Sequence, residues 1–186
     1  MIKNKNDLRE YLEQDRRALE REGKRPKFHD LIWKFEIEPR YCEYYRNCRK
    51  DILGKIAYAY HKYRKYQLGL KCNFAIHENT VGKGLAIAHV GPIITNQNVR
   101  IGENCRIHVG VNIGTAAGQL GAAPRIGNDV YIGPGAKIFG PIEIPDGVAI
   151  GANAVVNKTV ERPNVTVVGV PAKIVSEKGS GGYICK

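Results

Sequence analysis

Long apolar segments are missing from this sequence. Although 43% of the 186 residues are hydrophobic, no stretch approaches the roughly 20 apolar residues that a transmembrane helix needs. The first residues, MIKNKNDLREYLEQDRR, are too polar for a secretory signal peptide. We therefore expect a cytoplasmic protein that does not span a membrane.

Cysteine is scarce and is not arranged for metal or disulfide chemistry. The chain has five cysteines, an odd number, and no two of them form a Cys-x-x-Cys pair. Paired spacing of that kind marks most cysteine-based zinc sites, and disulfide frameworks use even sets. We therefore expect no bound metal and a reducing compartment. The five are Cys42, Cys48, Cys72, Cys105 and Cys185.

Methionine and tryptophan are also rare, since the chain has one of each beside 21 glycines. Glycine adopts backbone conformations that other residues avoid, so it is concentrated in tight turns. This balance is unusual for a helical or doubly wound α/β enzyme. It predicts a fold that contains many turns.

Basic residues outnumber acidic residues, and the excess positive charge lies mainly in the first part of the chain. Of the net charge of +11, residues 1–71 contribute +8, from nineteen Lys and Arg against eleven Asp and Glu. After them Gly, Ile, Val and Asn become frequent. We therefore divide the chain into a basic, tyrosine-rich α-helical region, 1–70, and a second domain, 71–186.

Apolar residues at three- and four-residue spacing predict three helices in the first region. A capping-box-like pair, Asp7 and Glu10, precedes the first of them. Gly23 and Pro39 are helix-ending signals. The predicted spans are Asp7 to Gly23, Asp30 to Pro39, and about Tyr41 to Tyr66.

The third predicted helix mixes basic residues with seven of the ten tyrosines. Such a mixture is found at nucleic-acid and membrane surfaces. It is equally compatible with an amphipathic helix that packs its tyrosines on a neighbour and leaves Lys and Arg in solvent. No nucleic-acid motif accompanies the charge, so we expect no nucleic-acid partner. We do expect peripheral contact with an anionic partner, either at a membrane surface or on an acidic glycan.

The second domain contains an internal repeat of six residues. Between residues 126 and 156 an aliphatic residue stands at every sixth position, and the same rhythm is present earlier with a two-residue shift. Six residues match neither an α-helix nor a hairpin meander. They match a triangular coil in which each hexapeptide is one short strand and one corner. The fold class is therefore mainly β, a parallel β-helix of hexapeptide repeats preceded by a short α-helical region. The repeat positions are Val81, Ile87, Ile93, Ile101, Ile107, Ile113, Ile126, Ile132, Ile138, Ile144, Ile150 and Val156.

The repeat is interrupted at residues 115–125, TAAGQLGAAPR. This segment is too long for one corner, so we expect a loop ejected from the coil. It is either a tolerated surface insertion or, as we favour, a lid over a site on the coil wall.

The stretches VGKGLAIAHVGPIITNQNVRIGENCRIHVGVNIG, IGNDVYIGPGAKIFG and VVGVPAKIV are similar to the serine acetyltransferase family of left-handed hexapeptide-repeat acyltransferases. The similarity covers about residues 75–175. It implies a left-handed coil, acetyl-CoA as acetyl donor, a hydroxyl as acceptor, and a homotrimer with active sites between neighbouring prisms.

The same resemblance assigns site residues. His89 matches the family's catalytic histidine, which suits a general base because imidazole titrates near neutral pH. His108 is expected to assist His89, to contact the acceptor, or to be a turn histidine that bonds to backbone. Small residues of the wall would let the pantetheine arm lie against backbone, and a lysine would lie near the phosphates. These acetyl-CoA positions are Gly114, Gly133, Pro134, Gly151, Ala152 and Lys173.

Several positions depart from the serine-specific pattern. That pattern has an acid where this chain has Ala75, an Asp where it has Ala88, and Arg-His where it has Ala122–Ala123. Because these charges would hold a zwitterion, we expect an O-acetyltransferase that acts on a sugar or surface-polysaccharide (capsule) precursor. The alternatives are a serine O-acetyltransferase of cysteine biosynthesis and a non-catalytic hexapeptide scaffold.

Overall fold

The computed structural model describes residues 1–119 and 121–184. Leu120 of the predicted loop and Cys185 of the C-terminal tail lie outside the described residues. Three helices precede a series of short strands that coil around one axis, and the chain then returns through a hairpin and a short 3-10 turn, Ser180–Gly182.

The helices are α1 Lys5–Ala18, α2 Leu31–Cys48 and α3 Ile52–Cys72. Asn4 caps α1, because its side chain accepts hydrogen bonds from the backbone N–H groups of Asn6 and Asp7. The predicted start at Asp7 was therefore three residues late.

Two predicted helix boundaries were wrong. Pro39 does not end the second helix but lies buried inside α2. A proline removes one helical hydrogen bond, and buried neighbours on both sides, Glu38 and Arg40, hold α2 in place. The predicted helix Tyr41 to Tyr66 is interrupted, since Arg49 is extended and Asp51 begins α3 by accepting a bond from Gly54 N–H.

The strands are short, and they pair in parallel from one turn of the coil to the next, except that the last two form an antiparallel hairpin. They are β1 Phe74–Ala75, β2 Ala86–Ile87, β3 Ile93–Thr95, β4 Arg100–Ile101, β5 Arg106–Ile107, β6 Asn112–Gly114, β7 Arg125–Ile126, β8 Tyr131–Ile132, β9 Lys137–Phe139, β10 Glu143–Ile144, β11 Ala149–Ile150, β12 Val155–Val156, β13 Thr166–Gly169 and β14 Ala172–Ser176.

The strands form the three walls of a triangular prism. Wall A has the order β1-β3-β6-β9-β12, wall B the order β10-β7-β4, and wall C the order β14-β13-β11-β8-β5-β2. The chain passes from wall A to B to C and returns to A in each turn. The hydrophobic repeat points inward, and its isoleucines stack in register, as in Ile87, Ile107, Ile132 and Ile150 on wall C. The predicted β-helix is confirmed.

The helices close the first turn of the prism through buried charges. Arg40, on α2, donates to the carbonyls of Val81 at 2.8 Å and Gly82 at 2.6 Å. Its guanidinium also pairs with Asp15 of α1 at 2.8 Å, and Asp15 accepts the backbone N–H groups of Gly84 and Leu85. These bonds satisfy backbone groups that the first turn would leave buried and unpaired.

No helix in residues 1–119 or 121–184 is long and apolar enough to cross a bilayer.

Candidate active site

His89 and His108 lie side by side at the corner where wall C meets wall A. His89 follows β2 and is exposed, and His108 follows β5. Backbone pairing sets this proximity, because Ala88 N–H donates to the carbonyl of Ile107 at 3.0 Å. The two imidazole centroids are 5.9 Å apart and the ring planes meet at 60°. The structure thus brings together the two histidines selected from the sequence.

His108 is the more enclosed of the two rings. Within the described part of the chain its Nε2 atom is buried and has no hydrogen-bond partner. Burial lowers the pKa of His108, and the nearby positive groups Arg106 and His89 lower it further. The imidazole is therefore neutral near pH 7, and one of its two ring nitrogens carries a hydrogen.

Two tyrosines extend this histidine pair along wall C. The Tyr131 ring lies 5.1 Å from that of His108, and Tyr183 lies 4.9 Å from Tyr131. Tyr183 comes from the C-terminal tail, which is anchored where Ser180 N–H donates to the Gly147 carbonyl at 2.9 Å. The sequence analysis missed both tyrosines. A bulky ring directly before Ile132, on a wall of small residues, is the signal that could have revealed Tyr131.

A glycine-lined strip continues from His108 along wall C. His108 N–H donates to Ile132 O, Gly133 N–H to Ile150 O, and Gly151 N–H to Val167 O. A Cβ on Gly133 would lie 2.7 Å from the Ile150 carbonyl, and one on Gly151 would lie 2.6 Å from Val168. Only glycine fits at these two positions, which lets successive turns of the coil pack closely along the strip. Pro134 and Ala152 follow the two glycines and are exposed.

Lys173 lies at the far end of the same wall. It belongs to β14 and pairs with Val168 of β13. Neighbouring strands are about 4.8 Å apart, so the five steps from β2 to β14 span roughly 24 Å between the histidines and this lysine. Gly114, in contrast, ends β6 on wall A. Five of the six positions assigned to acetyl-CoA thus follow wall C, and Gly114 does not.

The ejected loop leaves the prism at a different corner from His89. It joins β6 of wall A to β7 of wall B, whereas His89 lies between walls C and A. Its far end is fixed by a bond from Arg100 N–H to the carbonyl of Pro124 at 3.2 Å. The loop therefore starts and ends away from the corner that holds the His89 of its own prism.

A charged recess of about 500 Å³ opens beside Val90, the residue after His89. Its walls come from the segment between α1 and α2, and Arg21 Nε lies 2.7 Å from Asp30 Oδ2 there. This recess places charges of both signs next to the corner that holds the histidines. The charged residues that line it are Glu20, Arg21, Glu22, Lys27 and Asp30, with His29.

Glu36 supports the strand that leads to His89. Its Oε1 accepts the N–H of Ile87 at 2.9 Å. The carboxyl is buried, and this burial, together with the negative charge of Asp15, raises its pKa well above the ordinary value. Glu36 therefore holds its proton to a higher pH than an ordinary glutamate does. Glu78, the acid nearest to His89 in sequence, pairs instead with Lys65 at 2.9 Å.

Known proteins share the repeat and the fold. Residues 123–158 match the family model described as bacterial transferase hexapeptide (six repeats). The serine acetyltransferase of Mycobacterium tuberculosis is 38% identical over 112 residues, which are 58% of this chain and 48% of that protein. The chain thus spans about half the length of the curated relatives it matches.

Solved structures of serine acetyltransferases match nearly the whole chain. The Brucella abortus enzyme in complex with coenzyme A has a TM-score of 0.65 and 29% identity, covering 97% of this chain and 69% of that one. The soybean enzyme complexed with serine has a TM-score of 0.70 and 26% identity, covering 91% and 70%. The predicted resemblance to serine acetyltransferases and the left-handed β-helix are both confirmed.

Metal ligation finds no support within residues 1–119 and 121–184. No group of three or more His, Cys, Asp or Glu side chains there is arranged to hold a metal ion.

Proposed function

We propose that this serine acetyltransferase-like β-helix is an acetyl-CoA-dependent O-acetyltransferase. The observation that carries the proposal is the layout of wall C. Two histidines lie at one end of this wall, the glycine-lined strip runs from them, and Lys173 lies at the other end.

The residues of wall C fit acetyl-CoA. A Cβ on Gly133 or Gly151 would collide with the next strand, so glycine at these positions lets the turns of the coil stack closely along the strip on which a pantetheine arm would lie. Lys173 is exposed and would attract phosphate groups. Pro134 and Ala152 would flank the arm, and Gly114 is proposed to contact it from the neighbouring wall. Acetyl-CoA supplies an acetyl thioester, whose carbonyl carbon is the electrophile.

His89 is assigned as general base. A hydroxyl is a weak nucleophile until its proton is removed, and an exposed imidazole can accept that proton. The hydroxyl oxygen then forms the ester bond as the carbon–sulfur bond breaks, and the imidazolium returns the proton to the sulfur. The products are an O-acetyl ester and a free thiol.

His108 is assigned to positioning. Its ring contacts that of His89, and its buried Nε2 lacks a partner among the described residues. Being neutral, it does not add a second positive charge when His89 takes up a proton. A neutral ring nitrogen can accept from the acceptor hydroxyl or donate to it, according to tautomer.

L-Serine is the acceptor that the comparisons favour, because the relatives are serine acetyltransferases and one neighbour is complexed with serine. The charged recess beside Val90 supports it as well. Arg21 would pair with a carboxylate, and Asp30 or Glu22 with an ammonium group. These charges come from the helical region, so they are independent of the alanines at positions 75, 88, 122 and 123.

A sugar hydroxyl is the second candidate acceptor. The observation in its favour is that the two residues flanking His89, Ala88 and Val90, carry no charge. A neutral sugar needs no charge partner. Such an enzyme would modify a precursor of a surface polysaccharide.

A homotrimer is proposed from the position of the ejected loop. The loop and His89 lie at different corners of one prism. Around a threefold axis the loop of one prism faces a corner of the next. In that arrangement the loop 115–125 covers a neighbour's His89 and completes the site.

One assay separates the candidates. Thiol release from acetyl-CoA is followed with L-serine, with nucleotide sugars, and without acceptor. With L-serine as substrate, kcat/KM falls within roughly 10⁴–10⁸ M⁻¹s⁻¹, and sugars give only background. Turnover with a sugar alone selects the second candidate. If the acetyl group is transferred to neither acceptor, the proposed function is contradicted.

A further inference from the structure

The helix α3 turns its larger apolar side chains to the solvent. Its buried side consists mainly of small residues, and a Cβ on Gly69 would lie only 2.7 Å from the Phe74 carbonyl. The outer side includes Ile52, 76% exposed, and Tyr63, 63% exposed. A helix packed in this way has an apolar face that the described residues of its own chain leave exposed. That face, termed here the α3 face, comprises Ile52, Leu53, Ile56, Tyr60, Tyr63, Tyr66 and Leu70.

The spacing of these residues gives one continuous stripe. Along Ile52, Ile56, Ala59, Tyr63, Tyr66 and Leu70 the steps alternate between four and three residues, which keeps all six on one side of a helix with 3.6 residues per turn. Leu53 and Tyr60 widen the stripe on one side. The face is therefore broad, and it runs the length of α3.

Lysines border the stripe on both sides. Lys55 and Lys62 lie along one border and Lys71 along the other, and all three are exposed. The helix as a whole contains five Lys and Arg and no Asp or Glu. Apolar and tyrosine side chains between rows of lysine, without acids, are the pattern of a helix that lies in the interface of an anionic bilayer.

A concave surface continues the α3 face. A recess of about 800 Å³ lies between α3 and the first turns of the prism, and Lys62, Tyr66 and Leu70 form its near side. Phe74 and Ile94 contribute apolar surface from the prism. The surface presented beside α3 is thus both cationic and apolar over more than a single helix.

We infer that the α3 face binds peripherally to bilayers that contain acidic phospholipids. The apolar stripe enters the headgroup region, the tyrosines lie at its polar boundary, and the lysine stems extend toward the phosphates. This inference does not depend on the proposed transferase activity.

A second copy of the chain fits the same face less well. In a symmetric contact between two α3 faces, the exposed Lys55, Lys62 and Lys71 of both helices would be brought together. Like charges across an interface oppose association, and the whole chain has a net charge of +11. Contact with an anionic surface avoids this repulsion, because the surface attracts the same lysine charges.

The test is co-sedimentation of the full chain with phosphatidylcholine vesicles, with or without phosphatidylglycerol. We expect binding to the acidic vesicles at low salt, and at least about tenfold weaker binding to neutral vesicles or at high salt. Replacing Lys55, Lys62 and Lys71 by Gln should weaken binding about a hundredfold. The matched control replaces Lys3, Lys24 and Lys178 by Gln, which removes the same charge from other exposed positions and should have a much smaller effect.

A second variant tests the apolar part of the face. Ile56→Ser, Tyr63→Ser and Leu70→Ser together should abolish binding, because these side chains enter the bilayer. Phe28→Ser, Val170→Ser and Val175→Ser serve as the control, being exposed apolar residues elsewhere. Circular dichroism and melting temperature verify that each variant is folded.

Two results would overturn the inference. One is no binding of the unmodified chain to acidic vesicles at low salt, or binding that both α3 variants retain. The other is a sedimentation-velocity experiment in which the serine variant breaks up an oligomer while vesicle binding is unchanged. That outcome assigns the face to another copy of the chain.

Discussion

The imidazole rings of His89 and His108 lie 5.9 Å apart because their strands, β2 and β5, are adjacent on wall C. The contact is thus built into the register of the coil and does not depend on a loop. The first ring is exposed, whereas the second has a pKa lowered by burial and by Arg106. This difference is the basis on which we propose proton transfer for His89 and positioning for His108.

The buried pair Arg40–Asp15 should be essential for attaching the helices to the prism. The side chain of each is 3% exposed or less. Asp15→Ala removes one of the two carboxylates that pair with the buried Arg40 guanidinium and leaves two backbone N–H groups without their acceptor, which should cost about 3–5 kcal/mol of unfolding free energy. Urea denaturation measures the loss. Glu13→Ala, which removes an exposed ion pair of the same helix, should cost a small fraction of it. Equal losses would contradict this account.

Glu36 should make the free energy of unfolding depend on pH. Its pKa is raised by burial and by Asp15, so the folded state stays protonated while the unfolded chain ionises above about pH 4.3. The folded state therefore loses stability as the pH rises from that value through the folded-state pKa. Each unit by which the pKa is raised corresponds to about 1.4 kcal/mol.

The substitution Glu36→Gln tests this dependence. Glutamine keeps an oxygen for Ile87 N–H but does not ionise, so the variant should match the wild type near pH 4 and exceed it in stability near pH 8. Urea denaturation at several pH values gives the comparison. Glu43→Gln is the control, because Glu43 pairs with Arg40 and its loss should destabilise the protein near pH 8. A Glu36→Gln effect that is constant with pH would contradict the assignment.

Arg21 should determine affinity for a zwitterionic acceptor. If it pairs with the carboxylate of L-serine, Arg21→Gln removes a charge-assisted hydrogen bond worth about 1.5–3 kcal/mol. The KM for L-serine should then rise roughly 10- to 100-fold, while the KM for acetyl-CoA stays unchanged. Arg17→Gln, an exposed change on α1, is the matched control. An unchanged KM for L-serine would remove Arg21 from the acceptor site.

Lys173 should contribute to affinity for acetyl-CoA through its phosphates. Lys173→Ala is expected to raise the KM for acetyl-CoA about tenfold, the equivalent of one charge-assisted bond. The increase should shrink at high salt, because an exposed charge is screened. Lys178→Ala changes an exposed lysine just beyond β14 and should have little effect. If both variants behave alike, the phosphates do not bind at Lys173.

The prism could be predicted from sequence because each of its hexapeptides repeats the same constraint. Each hexapeptide marks its own inward position, as Ile87, Ile132 and Ile150 do, so the pattern remains recognisable when one corner is irregular. The helix boundaries lacked this redundancy. Pro39 is a strong local stop signal, and it was overridden by buried contacts with residues distant in sequence.

The site was only partly predictable for a related reason. His89 is recognised from its own hexapeptide, but Tyr183 reaches wall C only because the tail folds back at Ser180. The recess beside Val90 likewise needs Arg21 and Asp30 from a distant segment. Comparison of single positions with the serine-specific pattern identified the uncharged residues Ala88 and Ala75. It could not reveal charged side chains that other segments of the fold bring to the site.

The proposed transferase rests most directly on His89. His89→Ala removes the proton acceptor, and it should preserve the prism because the side chain is exposed at a corner. General-base assistance contributes about 10²–10⁴-fold, so turnover should fall by that range while acetyl-CoA still binds and the melting temperature is unchanged. His108→Ala, measured beside it, should cost about tenfold, in keeping with a positioning role.

The deciding measurement is therefore the rate of thiol release from acetyl-CoA by His89→Ala and His108→Ala with the acceptor selected above. The account predicts that His89→Ala loses at least about a hundredfold and remains folded with its acetyl-CoA affinity intact. Near-full activity in His89→Ala, with the loss confined to His108→Ala, would show that the base is the other histidine. Near-full activity in both variants would contradict histidine-assisted acetyl transfer at this corner.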